Sequence, residues 1–139
     1  MIHALILAGG IGTRVGADKP KQFIEIGGKP ILIHTLDKFQ KHPSIDRIAV
    51  VCVEGWEEEV RSYRETYGLS KLESVVTGGR TALESIRRGV DSLASAEDDI
   101  IVIHDGVRPL VDEKTITNVI IDCRRYGGAI SAVPLIEHV

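Results

Sequence analysis

Short apolar runs alternate along the chain with stretches whose apolar residues recur at helical spacing. Ala4-Leu5-Ile6-Leu7-Ala8 is a continuous run ended by Gly9-Gly10. Further runs occupy Arg47–Val53, Leu72–Thr77, Ile100–Ile103 and Ala129–Val133. Runs that are continuous rather than alternating predict strands buried on both faces, as in a parallel sheet. Between them, Trp56, Val60, Tyr63 and Tyr67 mark one predicted helix, and Leu83, Ile86, Val90 and Leu93 a second. Ile116, Val119, Ile120 and Cys123 mark a third. Pro30 suits the first turn of a helix carrying Leu32, Leu36 and Phe39, which must stop before Pro43. Each stripe is read as core packing. Strand–helix alternation of this kind predicts an α/β fold: a Rossmann-like open, mostly parallel sheet flanked by helices, with right-handed crossovers. The chain shows no internal repeat, linker or low-complexity tract and reads as one domain over residues 1–139. It ends on Ile136-Glu137-His138-Val139 directly after a predicted core strand. The domain is therefore expected to be incomplete at its C-terminus.

Composition adds little but excludes several classes. With 139 residues, 43% hydrophobic and 27% charged, the chain resembles an ordinary soluble globule. A domain of this size buries roughly 68–70% of its unfolded surface and needs no staples. Seventeen basic against twenty acidic side chains give a net charge of −3, which argues against an overall design for nucleic acid. The apolar runs are of strand length, so no membrane span is expected. The first residues enter a predicted strand without a basic region or cleavage pattern, so no signal peptide is expected either. Cys52 and Cys123 lie in apolar stretches and read as buried, reduced thiols of a cytoplasmic protein.

In open α/β sheets ligands bind beyond the carboxyl ends of the strands, and three unusual segments fall at such ends. The first runs Leu7-Ala8-Gly9-Gly10-Ile11-Gly12-Thr13-Arg14-Val15-Gly16 and continues to Lys19-Pro20-Lys21-Gln22. Its glycines let the backbone approach phosphate, Arg14 can fork onto phosphate oxygens, and Lys19 and Lys21 add point charges. The glycine spacing misses the dinucleotide fingerprint by one residue, and the Gly-Lys-Ser/Thr ending of a P-loop is absent. The alternative is a surface turn with solvated charges. The second segment, Thr77-Gly78-Gly79-Arg80-Thr81-Ala82-Leu83-Glu84-Ser85, has Thr81 and Glu84 at capping-box spacing, so a helix should start there. Its free N–H groups suit an anion, and Ser85 could bond a base or ribose. Alternatively, the glycines only turn the chain. The third, Ile103-His104-Asp105-Gly106-Val107-Arg108-Pro109, offers Asp105 for a ribose hydroxyl or a divalent cation and Arg108 for negative charge. Alternatively, Asp105 and Arg108 form a structural ion pair. His3, His34 and His42 lack metal-ligand spacing, and His104 is expected to tether its loop rather than move protons. Together the three segments describe a nucleoside-triphosphate pocket.

Leu7–Arg14 followed by Pro20-Lys21-Gln22-Phe23 resembles the signature loop of the nucleotidyltransferases that make activated sugars and alditols. Pro20-Lys21-Gln22 with Gly27-Gly28-Lys29-Pro30-Ile31-Leu32-Ile33-His34-Thr35, the Gly78–Ile86 segment and His104–Pro109 narrow the resemblance. They point to the 2-C-methyl-D-erythritol 4-phosphate cytidylyltransferases of isoprenoid precursor synthesis and the related ribitol-5-phosphate cytidylyltransferases of wall polymer synthesis. The resemblance runs the length of the chain. It implies the nucleotide-diphospho-sugar transferase type of fold and CMP transfer from CTP to an alditol phosphate, with release of pyrophosphate and with Mg²⁺. 2-C-methyl-D-erythritol 4-phosphate is the first acceptor to consider. It assigns Arg14 and Lys21 as the catalytic cations and Leu7, Ala8, Gly9, Gly10 and Gly12 to the loop that wraps CTP. Gly78, Gly79 and Ser85 fall to cytosine, Asp105 to the ribose and metal side, and Arg108 to the arginine of its motif. It further implies a homodimer in the full-length form, built by a β-arm beyond this chain.

This sequence departs from the family pattern in three places. Ala82 stands where many members carry arginine, with Arg80 two residues earlier. Gly106-Val107 replaces a common alanine pair. Pro134-Leu135-Ile136-Glu137-His138 replaces an Asp-Thr that helps hold the acceptor. Two rivals remain. A dinucleotide-dependent oxidoreductase could use Glu54 on a ribose but leaves Arg14 and Lys21 without a task. A nucleotide-binding fragment could bind CTP and catalyse nothing.

Overall fold

The computed structural model describes residues 1–10, 19–93 and 95–131. Gly12 and Arg14, and everything after residue 131, lie outside the described residues.

In chain order the elements are β1 (Ile2–Ala8), a 3-10 turn (Lys21–Phe23), β2 (Glu25–Ile26), β3 (Lys29–Pro30) and α1 (Ile31–Lys41). Then follow β4 (Arg47–Cys52), α2 (Glu57–Thr66), β5 (Leu72–Thr77), α3 (Ala82–Ser92), β6 (Ile100–Asp105) and α4 (Glu113–Tyr126). Four strands form an all-parallel sheet in the order β5-β4-β1-β6. β1 pairs with both β4 and β6, so the strand order reverses at β1, and ligand crevices open beside such a switch point. The open parallel sheet flanked by helices expected from the runs is present.

Alternation along each strand sorts side chains to two faces. Ile2, Ala4, Ile6 and Ala8 of β1 join Val50, Cys52 and Val102 against Leu36 and Phe39 of α1, Val60 of α2, and Ile116 and Ile120 of α4. Leu5, Ala49 and Val51 face the other way, under Val90 of α3 and Leu93. α3 lies very close to the sheet. A Cβ on Gly89 would stand 2.4 Å from Leu5 Cδ1 and 2.8 Å from Val51 Cγ2, so only glycine permits this approach.

Helix starts follow local chemistry. Thr81 caps α3 by accepting from the Glu84 N–H at 3.1 Å, and Asp112 caps α4 by accepting from Thr115 N–H at 2.7 Å. The Glu84 carboxylate reaches past Thr81 to the Arg80 N–H, so the expected box closes one residue early. Gly127 ends α4 at φ 84°, the left-handed cap that glycine suits.

Several expectations need correction. Ala129–Ser131 forms no strand, and Ile130 is 94% exposed; the rest of that predicted strand lies outside the described residues. Among the described residues β6 is an open edge of the sheet, but Ala129–Ser131 does not pair with it; hydrophobicity alone does not place a run in a sheet. Leu83 belongs to the predicted stripe of α3 yet is 72% exposed, because it lies in the first turn of a helix packed only through its later turns. Cys123 is half-buried rather than buried. Pro30 precedes α1 as its cap, closing a small hairpin that the hydrophobic pattern missed. Gly27 and Gly28 supply its positive φ angles of 62° and 85°.

Candidate functional site

The register brings the strand ends into line. Ala8 pairs with Cys52, Cys52 with Thr77, and Leu7 with Asp105. The connections leaving β1, β4, β5 and β6 therefore emerge at one edge, and between them lies a cleft of about 1010 Å³. Leu7, Ala8, Gly9 and Gly10 line it from β1, Gly78, Gly79 and Ser85 from the β5–α3 turn, and Asp105 from β6, with Lys21 beside them. Arg108 is not among the lining residues, and its side chain is 75% exposed. Nine candidates spread over a hundred residues of sequence thus share one cavity.

The β1 end is held by a residue that charge and glycine counting passed over. Gln22 is 2% exposed, and its Nε2 donates to the carbonyl oxygens of Ala8 at 2.7 Å and Gly10 at 3.0 Å. Phe23, next in the same 3-10 turn, stacks on Trp56 with ring centroids 4.1 Å apart. That contact presses the turn carrying the exposed Lys21 against the β4–α2 connection. A Cβ on Gly10 meets no described atom within 4 Å, so at this position glycine leaves open space.

The β5–α3 turn is tightly braced. Gly78 N–H donates to the Cys52 carbonyl at 2.8 Å, Gly79 N–H to Ser85 Oγ at 2.9 Å, and Arg80 N–H to the Glu84 carboxylate at 3.0 Å. A Cβ on Gly79 would fall 2.4 Å from Glu84 Cγ, so glycine is what lets Glu84 fold over the turn. Arg88, one helical turn beyond Glu84, pairs with it at 3.0 Å and donates to the Gly78 carbonyl at 3.2 Å. The (i, i+4) spacing of Glu84 and Arg88 was the available signal for this brace. From below, the Thr77 hydroxyl donates to Glu57, which also accepts from Gly55 N–H at 2.7 Å. These bonds, the Thr77 hydroxyl foremost, hold the Glu57 carboxyl below its usual range. At the end of β4, burial pushes the Cys52 thiol up to about 11, which favours the protonated form over the thiolate.

At the β6 end, Gly106 N–H donates to the Leu7 carbonyl at 2.8 Å, and the buried Thr35 hydroxyl of α1 donates to the Gly106 carbonyl at 2.7 Å. In the sequence Thr35 is only the last residue of a family motif, with no role assigned to it. Asp105 Oδ1 accepts from Val107 N–H at 3.1 Å, while Oδ2 stands 3.7 Å from Arg108 Nε. An ion pair this long between exposed groups contributes little, so the Asp105 carboxylate stays open to the cleft. His104 Nε2 bonds the Arg108 carbonyl at 3.0 Å and its ring packs on Phe39, the tether expected of it. Among the described residues no three His, Cys, Asp or Glu side chains gather. A single carboxylate is nevertheless the usual protein share of a magnesium site completed by substrate phosphates and water, so Asp105 fits that ion.

The family model described as IspD, 2-C-methyl-D-erythritol 4-phosphate cytidylyltransferase, matches residues 2–139. The chain belongs to the IspD family. Within it, similar curated relatives carry both names. A ribitol-5-phosphate cytidylyltransferase of Lacticaseibacillus paracasei is 45% identical over all of this chain and 60% of that protein. Another, of Vibrio parahaemolyticus, is 42% identical over 96% of this chain and 58% of that protein. A 2-C-methyl-D-erythritol 4-phosphate cytidylyltransferase of Syntrophus aciditrophicus is 42% identical over 99% of this chain and 59% of that protein. The chain thus spans less than two thirds of the length of these relatives. The crystal structure of 4-diphosphocytidyl-2C-methyl-D-erythritol synthase from Anaerococcus prevotii superposes with a TM-score of 0.73 at 30% identity. The match covers 89% of this chain and 51% of that one.

Proposed function

We propose that the protein to which this chain belongs transfers CMP from CTP to an alditol phosphate and releases pyrophosphate. The observation that carries the reading is the convergence of the β1 glycine turn, Lys21, the β5–α3 turn and Asp105 on one cleft.

The turn before α3 suits cytosine. The N–H groups of Gly78, Gly79 and Arg80 are all committed within the protein. What remains for a base is the Ser85 hydroxyl, with its hydrogen and one lone pair, and carbonyl oxygens. Cytosine offers a ring-nitrogen acceptor beside an amino donor, the complement of that pair. Uracil carries a carbonyl oxygen where cytosine carries the amino group, and would set that oxygen against a protein carbonyl.

In the reaction, an oxygen of the acceptor phosphate attacks the α-phosphorus of CTP. The new P–O bond forms as the bond to the bridging oxygen breaks, and pyrophosphate departs in line. Two anions must meet, so positioning and cations suffice without a covalent intermediate. Lys21, exposed at the cleft, would lie on the α-phosphate with Arg14 as its partner, and the glycine turn would hold the polyphosphate. Asp105 would hold Mg²⁺, which neutralises phosphate charge when bound. The relatives' names favour ribitol 5-phosphate as acceptor by a narrow margin, 45% against 42% identity, with 2-C-methyl-D-erythritol 4-phosphate as the second acceptor. The reading places the protein in the cytoplasm, and its full-length form as a homodimer. Among the described residues no helix is long and apolar enough to cross a membrane.

Because the chain spans 60% of its relative's length, a second reading keeps CTP binding and omits catalysis for this piece alone. Pyrophosphate release from CTP with each alditol phosphate, run on this chain and on the longer protein, decides both matters. Release by the longer protein with one acceptor supports the reading and names that acceptor. No release with either acceptor, or equal use of UTP, refutes it.

A further inference from the structure

Neither the cations of the cleft nor its base-reading turn accounts for Gln22. Its side chain is almost wholly buried, yet it spends both amide hydrogens on one short stretch of backbone, the Ala8 and Gly10 carbonyl oxygens at 2.7 and 3.0 Å. Carbonyl oxygens only accept, so the amide must present its NH₂ group there, and one side chain grips the carbonyls on either side of the Gly9–Gly10 peptide. The same residue sits in the 3-10 turn directly after Lys21.

We propose that Gln22 is a positioning residue that sets the β1 turn for phosphate and fixes its spacing to Lys21. The inference rests on the nucleotide reading of the cleft. Carbonyl oxygens facing a polyphosphate would repel it. In a trans peptide the carbonyl and the following N–H point in opposite directions, so drawing the Ala8 oxygen toward Gln22 turns the Gly9 N–H away from Gln22. A backbone N–H turned out in this way is the kind of donor from which anion-binding concavities are built. Because the donor is a neighbour of Lys21 in sequence, the two holders of the polyanion move as one body. Phe23 locks that body from the other side through its stack on Trp56.

Two variants test this. Gln22→Met keeps the bulk and removes both donors; Gln22→Glu keeps the shape and turns an oxygen toward two oxygens. Trp56 is the only tryptophan in the chain, so its emission reports whether the neighbouring stack survives. Titration calorimetry with CTP and with cytidine supplies the discriminating readout. CTP affinity should fall about tenfold or more in both variants, the loss of two hydrogen bonds, while cytidine affinity stays within about twofold, because the β5–α3 turn is untouched. In the ligand-free chain, the carbonyl ¹³C shifts of Ala8 and Gly10 should move in Gln22→Met. Equal losses for CTP and cytidine, or unchanged CTP affinity, overturn the positioning role, as do unmoved carbonyl shifts. A wild-type chain that binds no CTP sinks the nucleotide reading and the role built on it, even where the shifts move; unmoved shifts with normal CTP binding sink the role alone.

Discussion

Gly89→Ala should destabilise this protein although it places a good helix former in a helix. The added methyl would stand 2.4 and 2.8 Å from the two terminal carbons of Leu5 and 2.8 Å from Val51 Cγ2. Ordinary contact begins near 3.4 Å, so the nearest atom must retreat by about 1 Å in a packed core. Leu5 and Val51 are both fully buried, in strands paired on both edges, and have nowhere to go. Overpacking of this kind costs about 1–3 kcal/mol, and a closed site belongs at the upper end. Helix propensity returns about 1 kcal/mol. The net loss is about 2 kcal/mol, or roughly 8 °C in Tm for a domain of this size. Urea unfolding followed by Trp56 emission measures it, with exposed Arg87→Ala as a control that should stay within about 0.5 kcal/mol. The displacement would also lift the first turns of α3, so Ser85 should leave the cleft and cytidine binding should weaken alongside stability. A midpoint unchanged or raised in Gly89→Ala would refute the packing argument.

Other outcomes follow from the same geometry. In the longer protein, Lys21→Ala should reduce turnover about 10²–10³-fold with a much smaller change in CTP affinity, as for other preorganised charges; steady-state kinetics with unchanged turnover removes Lys21 from the mechanism. Asp99 binds the N-terminal ammonium at 2.8 Å and His3 Nε2 at 2.9 Å, and these partners, the ammonium first, hold its carboxyl well below the usual range. The group therefore contributes stability above the ordinary carboxylate pKa and loses it as pH falls toward its own lower value. The gap in urea midpoint between wild type and Asp99→Asn should hold from about pH 7 to about pH 5 and shrink from there as pH falls to about 3, and a constant gap would contradict the assignment. Thr35→Val leaves the buried Gly106 carbonyl without its hydroxyl partner, which should cost about 1–3 kcal/mol. Amide exchange from Gly106 to Arg108 should quicken, and an unaltered rate would show that the loop does not depend on α1.

The sequence by itself settled what local periodicity and turn chemistry settle. Four continuous apolar runs became the four strands of the parallel sheet, and Thr81 and Pro30 fell where helices begin. Glycines at strand ends pointed to loops that a ligand could approach. The fifth run showed the limit: apolar residues at Ala129–Ser131 satisfy the pattern, but whether a run docks on a sheet edge depends on the path of the chain in space rather than on its own hydrophobicity. The cleft itself belongs to register. Leu7 beside Asp105 and Ala8 beside Cys52 are pairings between strands dozens of residues apart, and no local pattern states them. The side chains that steady the cleft were harder still to see. Gln22, Thr35 and Arg88 act by donating to backbone carbonyls brought near only by folding. Every residue carries such a carbonyl, so sequence gives no sign of which ones a distant donor will meet. Tertiary structure decides it, because a hydrogen bond is selected by distance and direction rather than by residue type.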